Sequence, residues 1–394
     1  MKVRTLKTCF SLILLLLPCT LSSRALGKKK KSKPAPSKPR PTAWRRLEKL
    51  ANAVSRFKLG TTWFLTYSTG ETWGKSERVR KYNQFTIRRG YLTAKFPATS
   101  WFSARFTLDT TRSETGDWKV RMKYLFGKFV LPIETSYVTQ PSLVFGLQHR
   151  PWIQFEQKVN RYRVQGKMFV QKNGLFPSSD LGLTFHVLFG KPLPKSYQKK
   201  VSDAFPGTWG SLSVGVYNGG GYKEPERNEE KTVEGRLSVR PLGPLFPNWQ
   251  ISYSFLYGRG NTDGRDAHHE HHGLMASVEH PYFVVTGQFI KGQGLASAPT
   301  DEWLDLSGQT KTYQGASAFL ELKLPWILSS VIGRYDWFDG PNPSGDTPYH
   351  RIITGYAFHF YGRNKNLLLL DFDYSIFEEL RNRWVVNLSM QIKL

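Results

Sequence analysis

Charged and polar side chains recur at every second position in two neighbouring segments of this sequence. One segment contains Lys119, Arg121 and Lys123, and apolar residues stand between and beside them: Trp118, Val120, Met122 and Tyr124. The segment before it carries Arg105, Thr107 and Asp109 at alternate positions. Because successive side chains of a β-strand point to opposite faces, both patterns predict strands with one polar and one apolar face.

A row of arginine and lysine side chains has a defined chemical use. A guanidinium group can bind two oxygens of a phosphate at once, whereas an ammonium group acts as a compact charge. Cations spaced along a channel wall attract anions and still release them. We therefore predict an anion pathway that contains Arg88, Arg89, Arg105, Asp109, Lys119, Arg121 and Lys123. The alternative is that these cations hold water or pair with Asp109, Glu134 or Glu156.

Two of these cations, Arg88 and Arg89, are adjacent in the sequence. Only one of two consecutive side chains can face a given side of a regular strand. The other has to lie at the level of lipid headgroups, in a β-bulge or in a loop. The sequence leaves open which of the two faces the other cations.

Five consecutive residues carry metal-ligand chemistry: His268, His269, Glu270, His271 and His272. Imidazole and carboxylate groups suit Zn or Cu without any cysteine. The cluster lies between Gly264 and Gly273, which predicts a surface loop that fixes no ligand geometry. A solvated polar loop is the favoured interpretation, and a metal site is the weaker alternative.

The elements that would position these residues are β-strands throughout. Apolar residues stand at every second position of the last eleven residues, from Trp384 to Leu394, with polar residues between them from Asn387 onward, and this length suits a tilted strand that crosses a bilayer. Aromatic residues stand near predicted strand ends: Tyr217, Tyr222, Trp249, Tyr253, Trp337 and Tyr356. A bilayer requires such aromatic girdles of a barrel, together with closure of the sheet.

The N-terminal region predicts export from the cytoplasm. Residues 1–27 combine a basic start, a short apolar core and small residues near Ala25, as in a secretory signal peptide. Residues 28–56 follow as a Lys/Pro-rich basic linker and a short amphipathic helix. Both cysteines, Cys9 and Cys19, lie in the signal, so the predicted mature chain has no thiol.

Composition limits the remaining classes. The net charge is +26, yet hydrophobic residues make up 40% and aromatic residues 14%, which excludes a disordered polycation. A mean hydropathy of -0.42 argues against a bundle of transmembrane helices. Residues 57–394 therefore predict an all-β, transmembrane antiparallel β-barrel of about 16 strands, with 14 or 18 as alternatives. A barrel of that size leaves an aqueous channel.

A long loop folded into the barrel would form a constriction. The irregular stretch 132–160 contains prolines and carries His149, Arg150 and Lys158, which makes it the best candidate. The alternative is a plain extracellular loop followed by a strand of unusual composition.

An ordered set of short motifs resembles the phosphate-selective porin family of Gram-negative bacteria, the O/P type. The set begins with residues 85–92 (FTIRRGYL) and 106–109 (FTLD), continues through 216–222 (VYNGGGY), and ends with 333–336 (GRYD). The resemblance implies a trimeric 16-stranded barrel whose narrow basic lumen passes anions. It places the family's paired arginines at Arg88 and Arg89, and its constriction aspartate at Asp109.

These observations predict an outer-membrane porin for passive diffusion of small anions, with phosphate as a candidate solute. The predicted partners are these solutes, outer-membrane lipid and two further copies in a homotrimer. The export signal removes nucleic acid as a partner, and we expect no cofactor. We predict no enzymatic activity, because Ser254, His280 and the other candidate groups show no catalytic spacing. A metal-ion uptake pore, an enzymatic barrel and a structural tether remain the rival interpretations.

Overall fold

The computed structural model describes residues 55–394, except 75–77, 114, 262–266, 297–302, 305–308, 342–347, 363–364 and 378–381. The predicted signal peptide (1–27) and nearly all of the predicted linker and helix (28–56) lie outside the described residues. Among the described residues, no helix is long and apolar enough to cross a bilayer.

Sixteen antiparallel strands form a closed barrel in which each strand pairs with its sequence neighbours and β1 pairs with β16. The prediction of about 16 strands is confirmed. The strands are Lys58–Trp73 (β1), Arg78–Pro97 (β2), Phe102–Arg112 (β3), Trp118–Val130 (β4), Val138–His149 (β5), Ser179–Phe189 (β6), Gly210–Tyr217 (β7), Thr232–Val239 (β8), Trp249–Arg259 (β9), His268–Glu279 (β10), Phe283–Gln293 (β11), Thr312–Leu324 (β12), Ser329–Asp339 (β13), Tyr349–Tyr361 (β14), Asn366–Phe377 (β15) and Asn382–Lys393 (β16).

The alternating sequence pattern places apolar side chains outside and polar side chains inside. Leu274, Phe289 and Leu370 are exposed on the outer face. Inside, side chains of adjacent strands bond to each other, as Thr66 does with Ser389 at 3.0 Å and Ser68 with Asn387 at 2.7 Å. Closure of the sheet satisfies the backbone hydrogen-bonding groups of every strand, and the apolar outer face suits contact with lipid.

The two rims of the barrel differ in the segments that connect the strands. We call the rim that carries Lys58 and Lys393 the terminal rim, and the opposite one the distal rim. At the distal rim, residues 150–178 form the longest connection, which we call the inserted segment. It contains helix α1 (Pro151–Val159), a 3₁₀ turn (Arg163–Gln165) and helix α2 (Phe169–Lys172). At the terminal rim, residues 190–209 form the rim segment, which contains helix α3 (Lys195–Lys200).

The inserted segment lies within the barrel, because its residues bond to strands on different sides of the wall. Arg88 of β2 donates to Val164 O at 3.1 Å, and Tyr162 donates to Glu321 of β12 at 2.7 Å. Tyr349 of β14 donates to Asn173 at 2.6 Å. An apolar core inside the barrel fixes the segment: Trp152, Phe155 and Phe169 of the segment are buried with Met275, Phe319 and Ile332 of the wall.

Two residues predicted for the aromatic girdles lie inside the barrel instead. Tyr217 is fully buried, and its hydroxyl bonds to Thr184 on the lumen face. Tyr222 donates to Asp109 at 3.3 Å because the loop after β7 turns back, with its backbone N–H bonded to Ser179 O. The hydroxyl groups find polar partners in the lumen that the outer face does not offer.

Candidate functional site

A β-bulge places both adjacent arginines inside the barrel. Phe64 of β1 pairs with Arg89, whereas the next residue, Leu65, pairs with Ile87, so Arg88 is an extra residue in β2. An extra residue lets two consecutive side chains face the same side of the sheet. Arg88 and Arg89 consequently line one cavity. Of the three places considered for the second arginine, which were the headgroup level, a β-bulge and a loop, the structure shows the β-bulge.

This cavity, which we call the arginine cavity, has a volume of about 300 Å³ and lies between the inserted segment and strands β1, β2 and β14–β16. Its lining contains seven cations and a single carboxylate, Asp373. The cations are Arg88, Arg89, Arg163, Lys167, Lys172, Arg351 and Arg383. The site therefore has a large excess of positive charge.

Asp373 neutralises only part of this charge. It accepts from Arg351 at 2.8 and 2.7 Å and from Arg383 at 3.1 Å. Arg88 donates to Asn387 at 2.7 Å and Arg89 to the Tyr91 hydroxyl at 3.0 Å. Within the described part of the chain, neither arginine has a carboxylate within 4 Å.

The inserted segment contributes two lysines whose ionisation is perturbed. Burial, reinforced by repulsion from Arg351 and Arg383, lowers the pKa of Lys172 to about 8. The pKa of Lys167 is also lowered, first by burial and then by the charge of Arg89. The pKa of Lys172 lies close enough to neutral pH that its charge is partly lost in mildly alkaline solution.

A second group of charges surrounds Asp109. Arg121 donates to its carboxylate through Nε at 3.1 Å and Nη2 at 3.0 Å. Lys123 is buried, donates to Ser178 Oγ at 3.0 Å and lies 4.3 Å from the ring of Tyr222. Lys119 shares the face of Arg121 on β4 but is exposed. Arg121 is thus paired with a carboxylate, as the alternative interpretation of these cations expected.

Alternation along β4 predicts that Tyr124 lies on the apolar outer face with Trp118, Val120 and Met122. That prediction is wrong. Thr107 pairs with Tyr124 while Leu108 pairs with Met122, so a second bulge at Lys123 reverses the faces of β4 from that point. Tyr124 is buried in the lumen, where its ring lies 3.9 Å from the ring of His149. His149 in turn accepts from Arg105 Nη1 at 2.9 Å. Because a guanidinium only donates, the acceptor is Nε2 of His149, and the neutral ring carries its hydrogen on Nδ1.

The predicted constriction stretch 132–160 needs correction at both ends. Strand β5 occupies Val138–His149, and the segment that enters the barrel runs from residue 150 to residue 178. The prolines that interrupt the stretch are compatible with this strand, since Pro141 lies at an irregularity in its pairing with β6.

Arg150 is not available to a solute. Its side chain is fully buried, with Nε 2.5 Å from Glu234 and Nη1 3.5 Å from Asp180. The two carboxylates raise the pKa of Arg150, against the effect of burial, so it stays charged. Glu234 also accepts from the N–H of Trp152 at 3.1 Å. This group anchors the start of the inserted segment to the wall.

The histidine cluster forms the start of strand β10 rather than a surface loop. Strand alternation separates it: His269 and His271 are buried inside, whereas His268 and His272 are exposed with Glu270 on the outer face. His271 bonds to the Tyr313 hydroxyl at 2.9 Å and His272 to Glu270 at 2.8 Å. In the parts of the chain that the structure describes, no group of three or more ligands could hold a metal ion.

Several charged residues of the arginine cavity were absent from the sequence prediction: Arg163, Lys167, Lys172, Arg351, Asp373 and Arg383. Arg351, Asp373 and Arg383 lie on strands far from Arg88 in the sequence, and only barrel closure brings them together. The alternating pattern of β15 could have predicted that Asp373 faces the lumen, since Asp371 and Asp373 occupy alternate positions among apolar residues. Arg163, Lys167 and Lys172 belong to irregular or short helical pieces, which carry no comparable signal.

Comparison with known proteins establishes the fold. No family model matches the sequence, and no curated protein matches it. Among solved structures, OmpF of Salmonella typhi in complex with daunomycin superposes with a TM-score of 0.56 and 8% identity, covering 85% of this chain and 97% of that one. An anion-selective porin from Comamonas acidovorans gives 0.54 and 10%, covering 86% and 99%. OprB of Pseudomonas putida gives 0.53 and 11%, covering 89% and 97%. The chain thus has the fold of 16-stranded porin barrels.

Proposed function

We propose that this protein is an outer-membrane porin of a Gram-negative bacterium that conducts small anions by passive diffusion. The observation that carries the proposal is the arginine cavity, in which seven cations face a single carboxylate inside a closed barrel. The similarity to porin structures supports the choice of a channel. The predicted signal peptide supports export.

The anion preference follows from the distribution of charge along the barrel. From the distal side, Arg351, Arg383 and Lys172 are followed by Arg88, Arg89 and Arg163 in the same cavity. Towards the terminal rim, Lys95 lies near enough to Arg105, Lys393 and Lys158 to be repelled by their charges. Such a series raises the local concentration of anions and excludes cations.

Phosphate is the finer proposal within this function. The guanidinium groups of Arg88 and Arg89 border one cavity and lack carboxylate partners among the described residues, so phosphate oxygens can replace or join the acceptors to which they donate now, Val164 O, Asn387 and Tyr91. Chloride, which lacks that geometry, would respond to the positive field alone. The homotrimer that the resemblance implies stays a prediction.

Channel recordings test the function and the solute separately. Purified protein in a planar bilayer under a KCl gradient is expected to show a reversal potential set by chloride. Addition of phosphate is expected to reduce the chloride current, and the variant carrying Arg88→Gln and Arg89→Gln to resist that block. A preference for potassium would contradict the anion pathway, whereas chloride selectivity without phosphate block would contradict only the solute.

A further inference from the structure

A second cavity lies inside the barrel near the terminal rim and shares no lining residue with the arginine cavity. This rim pocket has a volume of about 250 Å³ and is enclosed by strands β4–β6, helix α1 and the rim segment. Sites for drug-sized ligands usually measure roughly 300 to 1,000 Å³, so the rim pocket suits a smaller molecule.

The pocket combines two ammonium groups with an apolar wall. Lys128 and Lys158 line it and lie close enough to repel each other. Neither forms an ion pair with a carboxylate within the described residues, and Lys158 donates only to the backbone oxygen of Asp203, at 3.3 Å. The apolar part of the lining comprises Phe126, Val144, Val187, Leu188, Phe205 and Pro206.

Three residues of the wall keep a buried polar atom that has no hydrogen-bond partner among the described residues. These atoms are Ser142 Oγ, His149 Nδ1 and Gln154 Oε1. His149 Nδ1 carries a hydrogen, because Nε2 accepts from Arg105. A buried donor without an acceptor costs about 1–3 kcal/mol, so His149 Nδ1 and the Ser142 hydroxyl point to a ligand oxygen that accepts from them, whereas Gln154 Oε1 is itself an acceptor and does not favour an anion.

The aromatic wall is held in a costly conformation. Phe205 has a φ of 44° and Gln140 a φ of 51°, and these are two of the three non-glycine residues with positive φ in the described chain. Arg236 lies 4.3 Å from the Phe205 ring and Lys158 lies 5.3 Å from it, which fixes the ring in the wall. Strained backbone of this kind persists at binding sites where the surroundings determine it.

We propose that the rim pocket binds a small organic carboxylate with an aromatic or branched apolar body. The carboxylate lies between Lys128 and Lys158, and the body packs on Phe126 and Phe205. An inorganic anion would leave the apolar wall in contact with water. Asp203, the one acid of the lining, is exposed and disfavours a second negative charge, so the ligand is a monocarboxylate.

The inference is tested by a fluorine NMR titration of 4-fluorobenzoate with the full chain in detergent micelles at fixed ionic strength. We expect benzoate to compete at least about tenfold more strongly than acetate or benzyl alcohol. Acetate lacks the apolar body that packs on the wall, and benzyl alcohol lacks the carboxylate that the two lysines bind. Equal competition by acetate would show a charge effect alone and overturn the proposal. Stronger competition by phenylalanine would assign the pocket to a zwitterion and also overturn it.

Substitutions locate the binding site. Lys128→Gln and, independently, Lys158→Gln are expected to weaken 4-fluorobenzoate binding about tenfold, the usual value of a charged hydrogen bond. Lys199→Gln, an exposed residue of the rim segment, is the matched control and is expected to leave the affinity unchanged. Unchanged affinity in both lysine variants would overturn the proposal. Binding in micelles does not require conduction, so a failure of the porin proposal would leave this result standing.

Discussion

Replacement of Arg150 by methionine is expected to release the start of the inserted segment. In the native barrel, Arg150 compensates two buried carboxylates, Glu234 at 2.5 Å and Asp180 at 3.5 Å. Methionine preserves most of the apolar stem and loses the guanidinium, whose carbon lies 5.1 Å from the ring of Phe176 and 5.4 Å from that of Tyr217. The substitution therefore removes the charge and leaves two carboxylates buried without a counter-ion.

The magnitude follows from the burial of all three charged groups, whose side chains are at most 1% exposed. Breaking a buried ion pair by removing one partner costs about 3–5 kcal/mol. The matched control is Arg78→Met, because Arg78 is 52% exposed and lies 3.4 Å from Glu71. An exposed pair of this kind contributes less than about 1 kcal/mol.

Two measurements report the effect. Urea unfolding in micelles, followed by tryptophan fluorescence, gives the change in the free energy of unfolding. Single-channel recording reports the segment itself, and we expect larger and noisier conductance in Arg150→Met than in Arg78→Met. The triple variant R150M/D180N/E234Q is expected to recover most of the lost stability, because no uncompensated charge remains. If Arg150→Met behaves like Arg78→Met in both assays, the apolar core alone holds the segment and the reasoning is refuted.

Other expectations concern the arginine cavity and the inserted segment. Arg88→Gln and Arg89→Gln should each lower the chloride-to-potassium permeability ratio by up to about fivefold, the factor for the roughly 1 kcal/mol between unit charges 4 Å apart in water; an unchanged reversal potential would exclude them from the pathway. Anion selectivity should fall as the pH rises through about 8, where Lys172 loses its proton, and Lys172→Met should weaken this pH dependence in the same recordings. Burial raises the pKa of Glu156 to about 7 from an ordinary 4.5, so its ionisation removes stability as the pH rises through that window. Glu156→Gln should therefore be more stable than the native chain at pH 8 by about 3 kcal/mol in urea unfolding, with no difference at pH 4; equal stability at pH 8 would show that Glu156 is not buried as an acid.

The alternating pattern in the sequence predicted the barrel together with the export signal, the aromatic residues near strand ends and the chain length. The strand at 382–393 and the strand after Trp118 are found where period-two alternation placed them. A closed sheet with an apolar outside repeats one local rule in every strand, so each segment carries the signal by itself. The cationic character of the lumen followed from the same rule, through Arg105, Arg121 and Lys123.

Which side chains face each other was decided by features that leave no mark in the alternation. A single extra residue reverses the faces of a strand, and bulges at Arg88 and Lys123 therefore brought Arg89 into the arginine cavity and Tyr124 into the lumen. The histidine cluster was predicted to be a surface loop because glycines flank it. The structure places these five residues at the start of strand β10 instead.

The sequence by itself determined a basic, closed β-barrel, because composition and period-two alternation are local properties. Only the tertiary structure revealed the arginine cavity, because this cavity is lined by residues far apart in the sequence: Arg88 of β2, Arg351 of β14 and Lys172 of the inserted segment. It also decided the role of Arg150, whose carboxylate partners lie on β6 and β8. Contacts between residues so distant in the chain arise from closure of the barrel and from the packing of the inserted segment, which no local pattern records.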